Sequence, residues 1–239
     1  RAARRTLGFD PNTPISSMRE VLRKLHIPVV VCNRREVDPR VSGASVLHPI
    51  PTVLLVPAWN SPWATRMTLA HELCHVLFHQ AGFSVSEGFE APSWMLDAGY
   101  ATREQEANAF AAAFLAPTHS VRTLLQNIKP DSSQGIARVG SYFGVGRRVA
   151  VNRIVDVFQL PDSRRDALLT VDVRWNPVFG EDAVSDDEQE HGMSGGEVRH
   201  LALSALQKGL ISKTRARAIL GVPDTEPLED ETLSPELQA

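Results

Sequence analysis

The sequence predicts an α+β fold: a small antiparallel sheet near the start of the chain, followed by mostly helical structure. Short β-branched runs cluster before residue 57, whereas beyond residue 61 most apolar residues recur at three- and four-residue spacing. Gly, Pro and Ser punctuate the boundaries between these patterns.

Residues 16–25 have the apolar spacing of a short helix, and 27–31 form a β-branched run that reads as a strand. Residues 41–47 and 52–56 read as two further strands separated by turn residues. Ser61 and Pro62 then form a helix start, a side-chain cap followed by proline where its missing N–H costs nothing. That helix runs through WATRMTLAHELCHVLFHQ and is expected to stop at Gly82. Residues 81–99 read as loop. A second helix is predicted to begin near Thr102, with Gln105 completing a capping box, and to run through EANAFAAAFL to Pro117. Residues 133–159 suggest two helices joined at Gly144-Val145-Gly146, and 168–175 resemble a short strand. Beyond Gly195 and Gly196 the pattern is helix, turn at Gly209, and a second helix capped by Ser212. The division expected is a first unit over 1–125, a helix-turn-helix-like extension over 126–180, an acidic linker over 181–196, a helical pair over 197–222 and an acidic tail over 223–239.

With 239 residues, 43% apolar and 22% charged, the chain can bury a sizeable core and is not disordered as a whole. The longest apolar runs, 28–32 and 52–57, are far shorter than the roughly 18 residues of a membrane span, so no membrane partner is expected. The chain opens on Arg1 rather than Met, which is compatible with a longer precursor. No leader pattern precedes the first helix, and Cys32 and Cys74 are too few for a disulfide scaffold, so the expected location is cytoplasmic.

Mapping the net charge of −3 along the chain changes its meaning. Residues 181–190 and 224–239 hold six acids each and no Lys or Arg, which leaves sixteen acids against twenty-five basic residues elsewhere. The body is basic and the compensating charge is segregated. Twenty-one of the basic residues are Arg, which suits contact with phosphate but also follows from codon bias.

His71-Glu72-Leu73-Cys74-His75 is an HExxH pattern inside the capped helix. Residues four apart stack on one helical face, so both imidazoles can reach one zinc ion while Glu72 projects towards a water on it. The ion lowers the pKa of that water and Glu72 takes its proton, which makes Glu72 the expected general base. A third ligand is needed. The metzincin extension would place His at position 81, which is Ala81, and that class is excluded. His79, one turn after His75, cannot converge with both other histidines from one straight helix and reads as a packed or surface residue. The remaining arrangement is that of a gluzincin, with Glu104 or Glu106 from the second helix. Large apolar side chains on that helix centre about 60° from Glu104 and about 100° from Glu106, which favours Glu104. Asn108, one turn on, is placed to hydrogen-bond a ligand histidine.

RMTLAHELCHVLFH followed by EQEANAFAAAFLAP resembles the ImmA/IrrE metallopeptidases, bacterial and phage proteins that pair HExxH with a downstream ExxAxxFA helix. The resemblance covers roughly 16–117. It implies a zincin-like domain, zinc bound by His71, His75 and Glu104, and Glu72 as catalytic base. It also implies a protein substrate, a helix-turn-helix transcriptional repressor whose cleavage releases genes for DNA-damage response, mobile-element transfer or phage defence. Most members have Gly where this chain has Cys74. Cys74 and Cys32 read as packed side chains rather than ligands.

Other candidates are less specific. Tyr100, His119 and the arginines are available to stabilise an oxyanion. The strand over 52–56 is the expected edge for an extended substrate. Arg147, Arg148 and Arg153, at the start of the second 133–159 helix, are candidate nucleic-acid contacts, and Lys213, Arg215 and Arg217 are similarly placed in the last helix. A nucleic-acid activator is therefore a candidate partner. The competing reading is a non-proteolytic regulator that binds a repressor or DNA through these helices.

Overall fold

The computed structural model describes residues 2–32, 37–38, 40–47, 51–56, 61–79, 82–85, 100–173, 202–220 and 222–223. The acidic segments 181–190 and 224–239 lie outside the described residues, as does the end of the strand expected over 168–175. The described helices are α1 (Ala2–Thr6), α2 (Met18–Lys24), α3 (Pro62–Phe78), α4 (Tyr100–Leu115), α5 (Thr118–Leu124), α6 (Ser133–Phe143), α7 (Arg147–Phe158), α8 (Asp162–Thr170), α9 (202–207) and α10 (Lys213–Leu220). The strands are β1 (Val29–Val31), β2 (Val41–Val46), β3 (Thr52–Leu55) and β4 (Gly82–Val85).

The α+β class holds, but the sheet is mixed rather than antiparallel. Its order is β1-β3-β2-β4, with β1 parallel to β3 and the other two pairings antiparallel. β3, not β2, adds beside β1, with Val29 opposite Val53 and Val31 opposite Leu55. This puts β3 inside the sheet with strands on both sides, which corrects the expectation that it is the free edge. Among the described residues the edges are β1 and β4. β4 itself falls in the stretch read as loop, and its four residues are too few to show alternation.

Helix α3 starts where Ser61 and Pro62 predict, yet the Ser61 side chain makes no capping bond; its carbonyl accepts from Ala64 and Thr65 instead. The helix ends at Phe78, where His79 turns extended, short of the expected stop at Gly82. α4 begins at Tyr100, so Thr102 lies inside the helix rather than capping it. Leu168 to Thr170 complete α8 instead of opening a strand. The α6–α7 pair forms as expected, with Gly144 in the left-handed conformation (φ 61°) as the C-cap that glycine allows. Gly209 (φ 67°) turns the chain between α9 and α10, and Ser212 caps α10 by accepting from Arg215 N–H at 3.2 Å.

One apolar core joins the sheet to the helices from Ile15 to Leu168, with Leu69, Leu73, Phe114, Leu115, Ile136, Phe143 and Ile154 at its centre. Ala202, Ala216 and Leu220 form a separate small cluster in the last helical pair.

Among the described residues three arginines are buried within this core region, and each donates to at least one carbonyl at a helix C-terminus. Arg4 donates to Phe114 O (2.6 Å), Leu115 O (3.1 Å) and Thr13 O (2.6 Å). Arg66, on α3, donates to Ile15 O, Ser16 O, Phe143 O and Gly144 O at 2.7 to 3.3 Å. Arg153 donates to Ala116 O at 3.0 Å and to Thr118 Oγ1 at 3.1 Å. The last carbonyls of a helix lack intrahelical partners and carry partial negative charge, so a guanidinium fork satisfies both needs.

Candidate metal centre

α3 and α4 pack side by side and bring three donors to one point. His71 Nε2 and His75 Nε2 are 3.0 Å apart. Glu104 Oε2 lies 3.1 Å from His71 Nε2, and Glu104 Oε1 lies 3.2 Å from His75 Nε2. The helical spacing explains the first pair, and the packing of α4 on α3 supplies the third donor from 29 positions further along the chain. His71 and His75 are buried and the Glu104 side chain is 16% exposed.

This donor set fits a divalent metal of the zinc type. Bond lengths of about 2.0 to 2.1 Å at tetrahedral angles put ligand atoms about 3.3 Å apart, so donors that already sit 3.0 to 3.2 Å from one another need to open by only tenths of an ångström. Two nitrogens and one carboxylate leave a fourth corner open, the arrangement of a catalytic rather than a structural site. The second ring nitrogen of each histidine is engaged elsewhere: His71 Nδ1 lies 3.1 Å from Asn108 Oδ1, the hydrogen bond expected of Asn108, and His75 Nδ1 lies 2.9 Å from His79 Nδ1. Both Nε2 atoms are thereby directed at the shared point.

Electrostatics agree with the geometry. Burial alone would raise the Glu104 carboxyl, but hydrogen bonds and charge from His71 and His75 outweigh it and hold the group at about 2. Burial lowers His75 below its ordinary value, which keeps a lone pair available at neutral pH. Burial and then the charges of Glu106 and Glu104 push the Cys74 thiol up to about 11, so Cys74 is a buried neutral side chain and stands outside the donor group.

Glu72 is fully buried on α3 next to His71. β2 passes directly over it at Gly43: a Cβ there would stand 2.7 Å from Thr68 Cγ2, 3.1 Å from Leu54 O and 3.3 Å from Glu72 Cγ. The sheet reaches the helix because this residue has no side chain, and the β2–β4 register shifts at the same place. Gly43→Val is therefore expected to lower stability by about 1 to 3 kcal/mol, measured by urea unfolding. Unchanged stability would mean that strand and helix separate at no cost.

Of the oxyanion candidates, Tyr100 is close enough to the centre that Glu104 and Glu72, after burial, raise its phenol; it stays protonated and able to donate at neutral pH. His119 is exposed on α5, beyond the opposite end of α4.

Glu106 is not one of the three donors and bonds His79 instead, with His79 Nε2 3.1 Å from Glu106 Oε2. Sequence reasoning missed this pairing, although His79 follows His75 by the same four-residue step that links His71 to His75.

Arg153 is 6% exposed and committed to the end of α4, so it is removed from the candidate nucleic-acid contacts. Arg147 and Arg148 are exposed at the start of α7, beside an open pocket of about 550 Å³ that Trp63 and Met67 also line. No helix among the described residues is long and apolar enough to cross a membrane.

A family model described as IrrE N-terminal-like domain, of the M78 peptidases, matches residues 27–155. No match to the chain was found among the curated proteins or the solved structures.

Proposed function

The chain belongs to the IrrE N-terminal-like domain family of M78 peptidases, and from that premise we propose that it is a zinc-dependent endopeptidase that cleaves a helix-turn-helix transcriptional repressor at one site. The observation that carries the reading is the convergence of His71 Nε2, His75 Nε2 and Glu104 on one point, with Glu72 buried alongside.

In this reading His71, His75 and Glu104 hold the ion, which when bound supplies a Lewis acid that acidifies water and polarises a peptide carbonyl. Glu72 takes the proton from the attacking water and returns it to the departing amine, so that one carboxylate serves both halves of the hydrolysis. Tyr100 donates its hydroxyl hydrogen to the oxygen on which negative charge develops. Among the described residues β4 is an edge strand, along which an extended substrate segment would pair, since main-chain bonding tolerates varied side chains. Cleavage would release the genes that the repressor silences, whether for stress response, mobile-element transfer or phage defence. Arg147 and Arg148 are the exposed residues with which a nucleic-acid activator would make contact.

Co-expression with a helix-turn-helix protein encoded beside this gene tests the proposal. The expected result is two fragments whose masses sum to the repressor plus one water. A repressor left intact under every inducing condition, while the protein still alters its DNA occupancy, would replace proteolysis with regulation by binding.

A further inference from the structure

Behind His75 stands a row of groups that ligation itself does not require. His75 Nδ1 faces His79 Nδ1 at 2.9 Å, and His79 Nε2 faces Glu106 Oε2 at 3.1 Å. The His79 side chain is nearly buried, whereas that of Glu106 is 60% exposed.

Counting protons along the row leaves one arrangement that permits ligation. A neutral imidazole carries a single N–H, and a histidine that binds a metal through Nε2 must carry it on Nδ1. His75 Nδ1–H then has to donate, and the atom it faces is His79 Nδ1, which must be bare. The His79 proton therefore resides on Nε2, where it meets a carboxylate that can only accept. The other arrangements fail. With its proton on Nδ1, neutral His79 would turn a bare Nε2 towards an acceptor. A doubly protonated His79 would drive the His75 proton onto Nε2, into the corner meant for the ion.

We propose that His79 and Glu106 are positioning residues that select the metal-binding tautomer of His75 through this carboxylate–imidazole–imidazole row. The inference rests on the metal centre proposed above. It gives the two ligand histidines different supports, a neutral amide oxygen for His71 and a charged relay for His75. It also accounts for two acids spaced two apart on α4: Glu104 reaches the centre directly, and Glu106 acts on it through His79.

The test measures zinc affinity of the full chain by chelator competition, with histidine protonation read from long-range proton–nitrogen spectra of the zinc-loaded protein. Wild type is expected to bind one zinc and to show His79 protonated on Nε2. His79→Phe and Glu106→Leu are expected to keep one zinc with affinity about tenfold weaker or more, the usual cost of losing a ligand's orienting partner. Glu106→Gln, whose amide oxygen still accepts, should recover part of that loss. Glu106 is largely exposed, so its variants test the row even if His79→Phe impairs folding. Affinities within twofold of wild type for both Glu106 variants, or a His79 proton on Nδ1, would overturn the proposal. So would complete loss of zinc from Glu106→Leu alongside retention by Glu104→Gln, which would make Glu106 the ligand. A wild-type protein that binds no zinc overturns the metal centre itself, a result distinct from all of these.

Discussion

Glu72→Gln protein is expected to hold zinc at full stoichiometry and to hydrolyse its substrate about a thousandfold more slowly, within the 10²- to 10⁴-fold range of general-base catalysis. The amide nearly matches the carboxylate in size, so the packing of Glu72 against β2 is preserved while the proton acceptor is lost. Because Glu72 is not among the three converging donors, metal content is predicted to be unaffected. Single-turnover cleavage of the proposed repressor substrate alongside zinc analysis separates the two effects. Hydrolysis within tenfold of wild type would remove Glu72 from the chemistry, and loss of zinc would assign it to the ligand set.

The second large effect is expected at Arg66, which lies on α3 but is not one of the converging donors. Its fully buried guanidinium ties α3 to the carbonyls of Ile15, Ser16, Phe143 and Gly144. Arg66→Leu leaves those acceptors without donors inside the protein, and the expected loss of stability is about 3 to 5 kcal/mol. Arg66→Lys should recover less than half, since a single ammonium cannot span carbonyls arranged for a planar fork. Urea unfolding measures both, and a loss below about 1 kcal/mol for Arg66→Leu would show that water replaces the guanidinium at little cost.

Much of the centre is legible in the sequence because it obeys local rules. The step from His71 to His75 is fixed by helical periodicity, and the apolar side of α4 is enough to separate Glu104 from Glu106. What Glu106 does depends on His79, and therefore on how α3 and α4 lie against each other, which no periodicity encodes. The same limit applies to the sheet. β1, β2 and β3 each declare themselves by composition, but the parallel pairing of β1 with β3 joins residues such as Val29 and Val53 that are distant in the chain, which no local pattern encodes. The boundaries of α3 and α4 are misread because Gly82 and Thr102 carry cap chemistry at places where the helices do not end. The buried arginines are the least legible part. Arg is normally a surface residue, and nothing in the sequence around Arg4, Arg66 or Arg153 shows that a helix terminus from elsewhere will be laid upon it.

Arg4 and Arg153 meet at the same end of α4. Between them they engage the carbonyls of three consecutive residues, Phe114, Leu115 and Ala116, on a helix with no basic residue in its own last turn. One clip comes from the start of the chain and the other from α7, so α4 is held at its rear by two separate parts of the molecule. A stimulus that worked by sliding this helix would have to tear out both guanidinium groups before Glu104 moved at all. The Glu104 jaw is in effect an anvil bolted from behind, and control over such a device is exercised through what is brought to its open face.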